Sequence, residues 1–106
     1  MDNHSIKKAQ QFKEDRFTKI DIIKHKHSTV FLLNFLPNQE MRPHNHPGRE
    51  LYLLVIEGNG TFSIDGKDLE VNEGDIIYCN PEDQLGFTNT GGKPVSIYAT
   101  MTKINK

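Results

Sequence analysis

Residues 51–79 read Leu-Tyr-Leu-Leu-Val-Ile-Glu-Gly-Asn-Gly-Thr-Phe-Ser-Ile-Asp-Gly-Lys-Asp-Leu-Glu-Val-Asn-Glu-Gly-Asp-Ile-Ile-Tyr-Cys, and this stretch decides the fold class. Short runs of β-branched, aliphatic and aromatic residues are broken by Gly, Asn and Asp at intervals too close for helices. Two hairpin turns stand out, Glu57-Gly58-Asn59-Gly60 and Ile64-Asp65-Gly66-Lys67. The second carries the Asp-Gly pair that type I′ turns favour, because both central residues need positive φ. Glu73-Gly74-Asp75 and Asn89-Thr90-Gly91-Gly92 mark two more turns. The same punctuation continues on either side and predicts strands over Phe17–Lys24, Thr29–Phe35, Gln39–His44, Leu51–Glu57, Gly60–Ile64, Lys67–Val71, Asp75–Cys79, Gly86–Asn89 and Val95–Thr102. So many short strands must close into a barrel or a two-sheet roll, since an open sheet would expose unpaired edges. The expected class is all-β.

Ahead of the first strand, Ser5 to Asp15 are good helix formers, with Ser5 placed to cap and Ile6 and Phe12 as the large apolar anchors. A short helix or arm over residues 1–16 is expected, followed by a barrel domain over 17–106. A chain of 106 residues has room for one domain. There is no internal repeat, low-complexity tract or linker.

Charge narrows the function. Thirteen basic against fourteen acidic side chains leave a formal charge of −1, so no global field draws the protein to nucleic acid or acidic lipid. The one basic cluster, Lys24-His25-Lys26-His27, reads as a solvated face. A single cysteine, Cys79, excludes an internal disulfide, and its apolar neighbours suggest a quiet core thiol. Residues 1–8 lack the apolar stretch of a secretion signal, and no apolar run reaches the ~18 residues that span a bilayer. The expected location is cytoplasmic.

The segment Pro37-Asn38-Gln39-Glu40-Met41-Arg42-Pro43-His44-Asn45-His46-Pro47-Gly48-Arg49-Glu50, continuing to Glu57-Gly58, resembles the first sequence motif of the cupin superfamily. Gly74 through Pro81, continued by Gly86-Phe87-Thr88-Asn89, resembles the second. Residues 59–73 lie between them, the short spacing of compact cupins. The resemblance implies a small single-domain cupin: a double-stranded β-helix, or jelly-roll barrel, with its ligand site inside the mouth. Departures fall on chemically important positions. Asn38 stands for the first glycine, an extra residue separates Glu50 from Gly58, Pro81 is one place late, and Glu82 replaces a turn glycine. Leu85 stands where metal-bound cupins carry their fourth ligand, a histidine. Gln84 can replace it only if the strand register shifts.

On an extended chain, residues two apart share a face, so His44 and His46 project together. Glu50 keeps their parity, and Pro47-Gly48 supplies a turn that brings its carboxylate toward the pair. His44, His46 and Glu50 are therefore the expected metal ligands, a two-imidazole, one-carboxylate set suited to Fe, Mn, Ni or Zn with open positions. No nucleotide or organic cofactor is indicated. Tyr52, Tyr78, Tyr98, Phe62 and Phe87 are expected to fill the barrel. Leu51–Ile56 is apolar on both faces, which points to a homodimer covering the outer one. The expected function is binding of a small ligand in the barrel pocket. The alternatives are a metal-dependent dioxygenase or isomerase and an interaction protein with a vestigial pocket; no catalytic residue is identifiable.

Overall fold

The computed structural model describes residues 1–104, so the last two residues of the expected 17–106 barrel domain lie outside the described residues. Among the described residues nine strands form: β1 (Thr18–Lys24), β2 (Ser28–Phe35), β3 (Glu40–His44), β4 (Arg49–Glu57), β5 (Gly60–Ile64), β6 (Lys67–Val71), β7 (Ile76–Cys79), β8 (Leu85–Thr88) and β9 (Val95–Lys103). Each expected strand is present, β5 and β6 with the expected bounds and the others shifted at an end by a residue or two. The strands pair antiparallel into a five-stranded sheet, β1-β2-β9-β4-β7, and a four-stranded sheet, β3-β8-β5-β6. The fold is an all-β jelly-roll, two sheets facing each other across one core.

Local chemistry explains the turns. Asp65 and Gly66 have φ of 51° and 81°, the positive pair that a type I′ hairpin between β5 and β6 requires. Asn38 has a φ of 72°, so asparagine fills the left-handed position expected of a glycine. The loop after Pro81 closes without a glycine: the Asn80 side-chain oxygen accepts hydrogen bonds from the backbone N–H of Glu82 and Asp83.

Alternation along the strands sorts the core. Phe31, Leu33 and Phe35 of β2, Leu51, Leu53 and Val55 of β4, and Val95, Ile97 and Ala99 of β9 all point inward and are buried. One end of the barrel is plugged by aromatics, with Phe87 packed 4.7 Å from Phe35 and 4.8 Å from Phe62 between ring centres. Gly60 is required there, because a Cβ at this position would stand 2.4 Å from the Phe87 ring. The buried Asn89 closes the same end, donating to the carbonyls of Phe35 and Lys93 and accepting from Gly91. Cys79 is buried against this core, and burial above all pushes its thiol up to about 11, consistent with an inert core cysteine.

The N-terminal segment forms the expected short helix and then continues as an arm. Its helix covers only Ile6–Ala9, and Ser5 makes no side-chain capping bond. Ile6 is exposed, and the residue that anchors the segment is the buried Ala9. The segment lies on the outer face of β2 instead of continuing as a helix. Buried Asn34 donates to the Ala9 carbonyl and to the Thr18 hydroxyl, and accepts from Ser96. A nearby tie runs from the Gln39 amide to the Lys13 carbonyl at 2.6 Å. These bonds fix backbone groups that a longer helix would bond internally. No helix among the described residues is long and apolar enough to cross a membrane.

Candidate functional site

At the end opposite the aromatic plug the barrel is open. A cavity of about 130 Å³ lies there, lined by Phe17, Lys19, Phe31, Leu33, Met41, His44, His46, Leu51, Leu53 and Leu85. Its walls are apolar save for the two imidazoles and the Lys19 side chain.

The imidazoles arrive from the edge of the smaller sheet. β3 is an edge strand, which tolerates Pro43 with its missing N–H. Its pairing with β8 slips between Met41 and His44, and after the slip His44 lies opposite Leu85. Opposed residues of an antiparallel pair share a face, so His44 and Leu85 point into the same cavity. The turn His46-Pro47-Gly48-Arg49 is closed by the Arg49 N–H on the His46 carbonyl, with Gly48 at φ 76°. Proline second and a positive-φ glycine third are the signature of a type II turn. It holds the His46 ring 4.6 Å from that of His44. His44 Nδ1–H donates to the Arg42 carbonyl at 2.9 Å, which leaves its Nε2 lone pair free. Burial, aided by His44, Arg49 and Lys19, lowers the pKa of His46, favouring a neutral ring at pH 7.

The structure brings together two of the three expected metal ligands. Glu50 is the correction. Leu51 and Leu53 face the cavity, so Glu50, one residue earlier on β4, faces outward with Tyr52. Its carboxylate accepts a hydrogen bond from the Tyr78 hydroxyl at 2.8 Å, on the outside of the larger sheet. The extra residue between Glu50 and Gly58 is the cause: it puts Leu51 at the inward position. A bulge in β4, between Val55 and Glu57, falls too late to turn Glu50 inward. Leu85 holds the fourth position, facing the cavity, and Gln84 is exposed, its N–H bonded to Asp65. Among the described residues no three His, Cys, Asp or Glu side chains converge on a metal-sized point. Two nitrogens faced by two leucines do not fit a three- or four-ligand metal centre.

The aromatic assignment is also corrected in part. Phe62 and Phe87 fill the barrel, whereas Tyr52 and Tyr78 lie outside it, packed at 5.1 Å on the outer face of β4 and β7. Lys19 is the lining residue that sequence reading missed. Its signal was weak, a single lysine in an alternating strand, and its place is set by the β1–β2 pairing. Its ammonium stands 4.5 Å from the centre of the Phe31 ring and 3.0 Å from Asp21.

With this geometry, residues 31–101 match the family model described as a cupin domain. The chain belongs to the cupin family. A double-stranded β-helix protein from Klebsiella pneumoniae superposes with a TM-score of 0.91 at 21% identity, covering 99% of this chain and 92% of that one. An RmlC-like cupin from Desulfovibrio desulfuricans gives 0.85 at 22% identity, covering 96% of each. At these identities the likeness concerns the fold. The (S)-ureidoglycine aminohydrolase of Escherichia coli K12 is 35% identical over 51 residues, 48% of this chain. The chain matches only 20% of that enzyme's length.

Proposed function

We propose that this cupin binds a small organic molecule whose apolar body enters the open end of the barrel, with His44 and His46 as hydrogen-bonding partners at the rim. The observation that carries the reading is the chemistry of the cavity wall: Leu33, Leu51, Leu53, Leu85 and Phe31 surround a space of about 130 Å³. Cavities of about 150 Å³ lined by such residues stay dry and take up benzene, so an aromatic ring is of the right size. Apolar space with a few placed polar groups is the usual makeup of a small-molecule site. The free Nε2 of His44 and the neutral ring of His46 supply both acceptor and donor capacity.

Benzamide, neutral and ring-sized, is a suitable probe. On titration it is expected to shift the methyl resonances of Leu33, Leu51, Leu53 and Leu85, and Leu85→Phe, which fills the space, should remove the effect. Shifts confined to surface residues would overturn the reading. The same reading includes a homodimer. β7 is an edge strand, and Ile76, Tyr52 and Tyr78 beside it are 70%, 49% and 48% exposed, a combination suited to a self-complementary two-fold contact.

A second reading takes the aminohydrolase relative as its guide, with neutral His46 as a general base toward the water that displaces an amine as ammonia. Ammonia release from ureidoglycine, lost in His46→Ala, would establish it; a pocket that binds without turnover would exclude it.

A further inference from the structure

Beside the apolar cavity a second cleft of about 330 Å³ opens among β1, the β1–β2 turn and the ends of β4 and β9. Its lining brings together Lys19, Lys24, Lys26, Arg49 and Lys103, with the imidazoles of His25 and His27. Among the described residues only one carboxylate, Asp21, belongs to the lining, and Lys19 already engages it. Asp2 reaches His25 from the N-terminal segment. Five permanent cations against one acid contrast with thirteen against fourteen in the whole chain.

The sequence shows only the Lys24–His27 run; folding adds Lys19, Arg49 and Lys103 from three separate strands. Backbone bonds fix the walls: Lys103 N–H donates to the His27 carbonyl and Ile104 N–H to the Gly48 carbonyl, both in the 2.8–2.9 Å range. Like charges lining one cleft repel one another, and an anion among them relieves that repulsion. Arg49 adds a planar fork matched to carboxylate or phosphate oxygens. Lys19 lines both spaces, its ammonium over the Phe31 ring of the apolar cavity.

We infer that the cleft recognises the anionic group of the ligand whose apolar body occupies the barrel, so that the ligand is a small amphiphilic anion, a carboxylate or phosphate on a ring-sized body. The inference rests on the cavity being the ligand site. Lys19 stands at the junction, and Arg49 and the turn lysines surround the anionic head.

Calorimetry at about 50 mM salt, where a Debye length exceeds 10 Å, on the intact protein compares benzoate, phenylphosphonate, benzamide and inorganic phosphate. The expected result is benzoate or phenylphosphonate binding at least about ten-fold more tightly than benzamide, the stronger of the two naming the head group. That ratio should fall toward one in Lys24→Gln/Lys26→Gln, both exposed, at the end of β1 and in the turn that follows, and in Arg49→Gln, with unfolding midpoints confirming that each variant folds. Equal binding of benzoate and benzamide would overturn the anion site while leaving the cavity reading intact. Inorganic phosphate that binds without competing with benzoate would overturn the joined ligand. Silence from all four probes would sink the cavity reading and this inference with it.

Discussion

The two faces of β4 carry nearly the same kind of side chain and do opposite things. Inward, Leu51, Leu53 and Val55 are buried and two of them line the apolar cavity; outward, Glu50, Tyr52 and Leu54 sit at the surface of the larger sheet. Composition does not separate them, for both faces are apolar over Leu51–Ile56. Parity does. One residue more or less before the strand exchanges the two sets, because successive side chains of a strand leave on opposite sides. The chemistry of the site therefore depends on a count, and the count puts a leucine where a carboxylate was expected.

The largest way to break this contrast is to place a charge on each face. Leu53→Glu buries an uncompensated carboxylate among aliphatic walls and is expected to cost more than about 4 kcal/mol, enough to lose the cooperative urea transition. Tyr52→Glu, one residue away, should stay within about 0.5 kcal/mol of the parent monomer. Its effect should appear instead as a smaller species by light scattering, if the outer face holds two copies together. Comparable losses from both substitutions would mean that the faces are not distinct.

Metal content sharpens the same contrast. Leu51→Glu combined with Leu85→His sets a carboxylate and a third imidazole opposite His44 and His46, and should raise zinc or manganese content to about one per chain by elemental analysis. In the doubly substituted protein, Glu50→Ala should leave that content unchanged, since Glu50 faces the other way. A loss of metal on removing Glu50 would contradict its outward orientation on β4.

A smaller effect is expected on the outer face. The hydrogen bond to Glu50, before any other influence, pushes the Tyr78 phenol up to about 12. Glu50→Gln removes the negative acceptor, so ultraviolet titration should show one of the three tyrosines returning toward about 10. The smallest effect belongs to the inner rim. With the His46 pKa lowered chiefly by burial, the unfolded chain takes up that proton more readily than the folded one. The stability associated with neutral His46 is thus complete above about 6.5 and declines as pH falls through the folded value. In His46→Gln this part of the slope should vanish from a plot of unfolding free energy against pH.

Much of this molecule is legible without coordinates, and the reasons are local. Asp65-Gly66 specifies a hairpin because both residues accept positive φ, and Pro47-Gly48 specifies a turn because one fixes φ and the other frees it. The pairing of His44 with His46 follows from a two-residue period. Other features were not legible. Helix propensity over residues 5–15 gave way after Ala9, because the segment's carbonyls are bonded by buried Asn34 and by Gln39, partners far away in sequence. The fate of Glu50 turned on whether the extra residue before Gly58 is absorbed by a bulge, and where.

The sequence by itself determined the strands, the turns and hence the all-β class, since these follow from the φ each residue tolerates and from a period of two. Tertiary structure alone decided what the site contains: the inward set of β4, the leucine opposite His44, and the gathering of Lys19, Arg49 and Lys103 beside the Lys24–His27 run. Strand pairing joins residues with no fixed separation in the chain, and a shift of one place reverses every side chain. Short-range chemistry sets the elements, while only closure of the barrel sets their register.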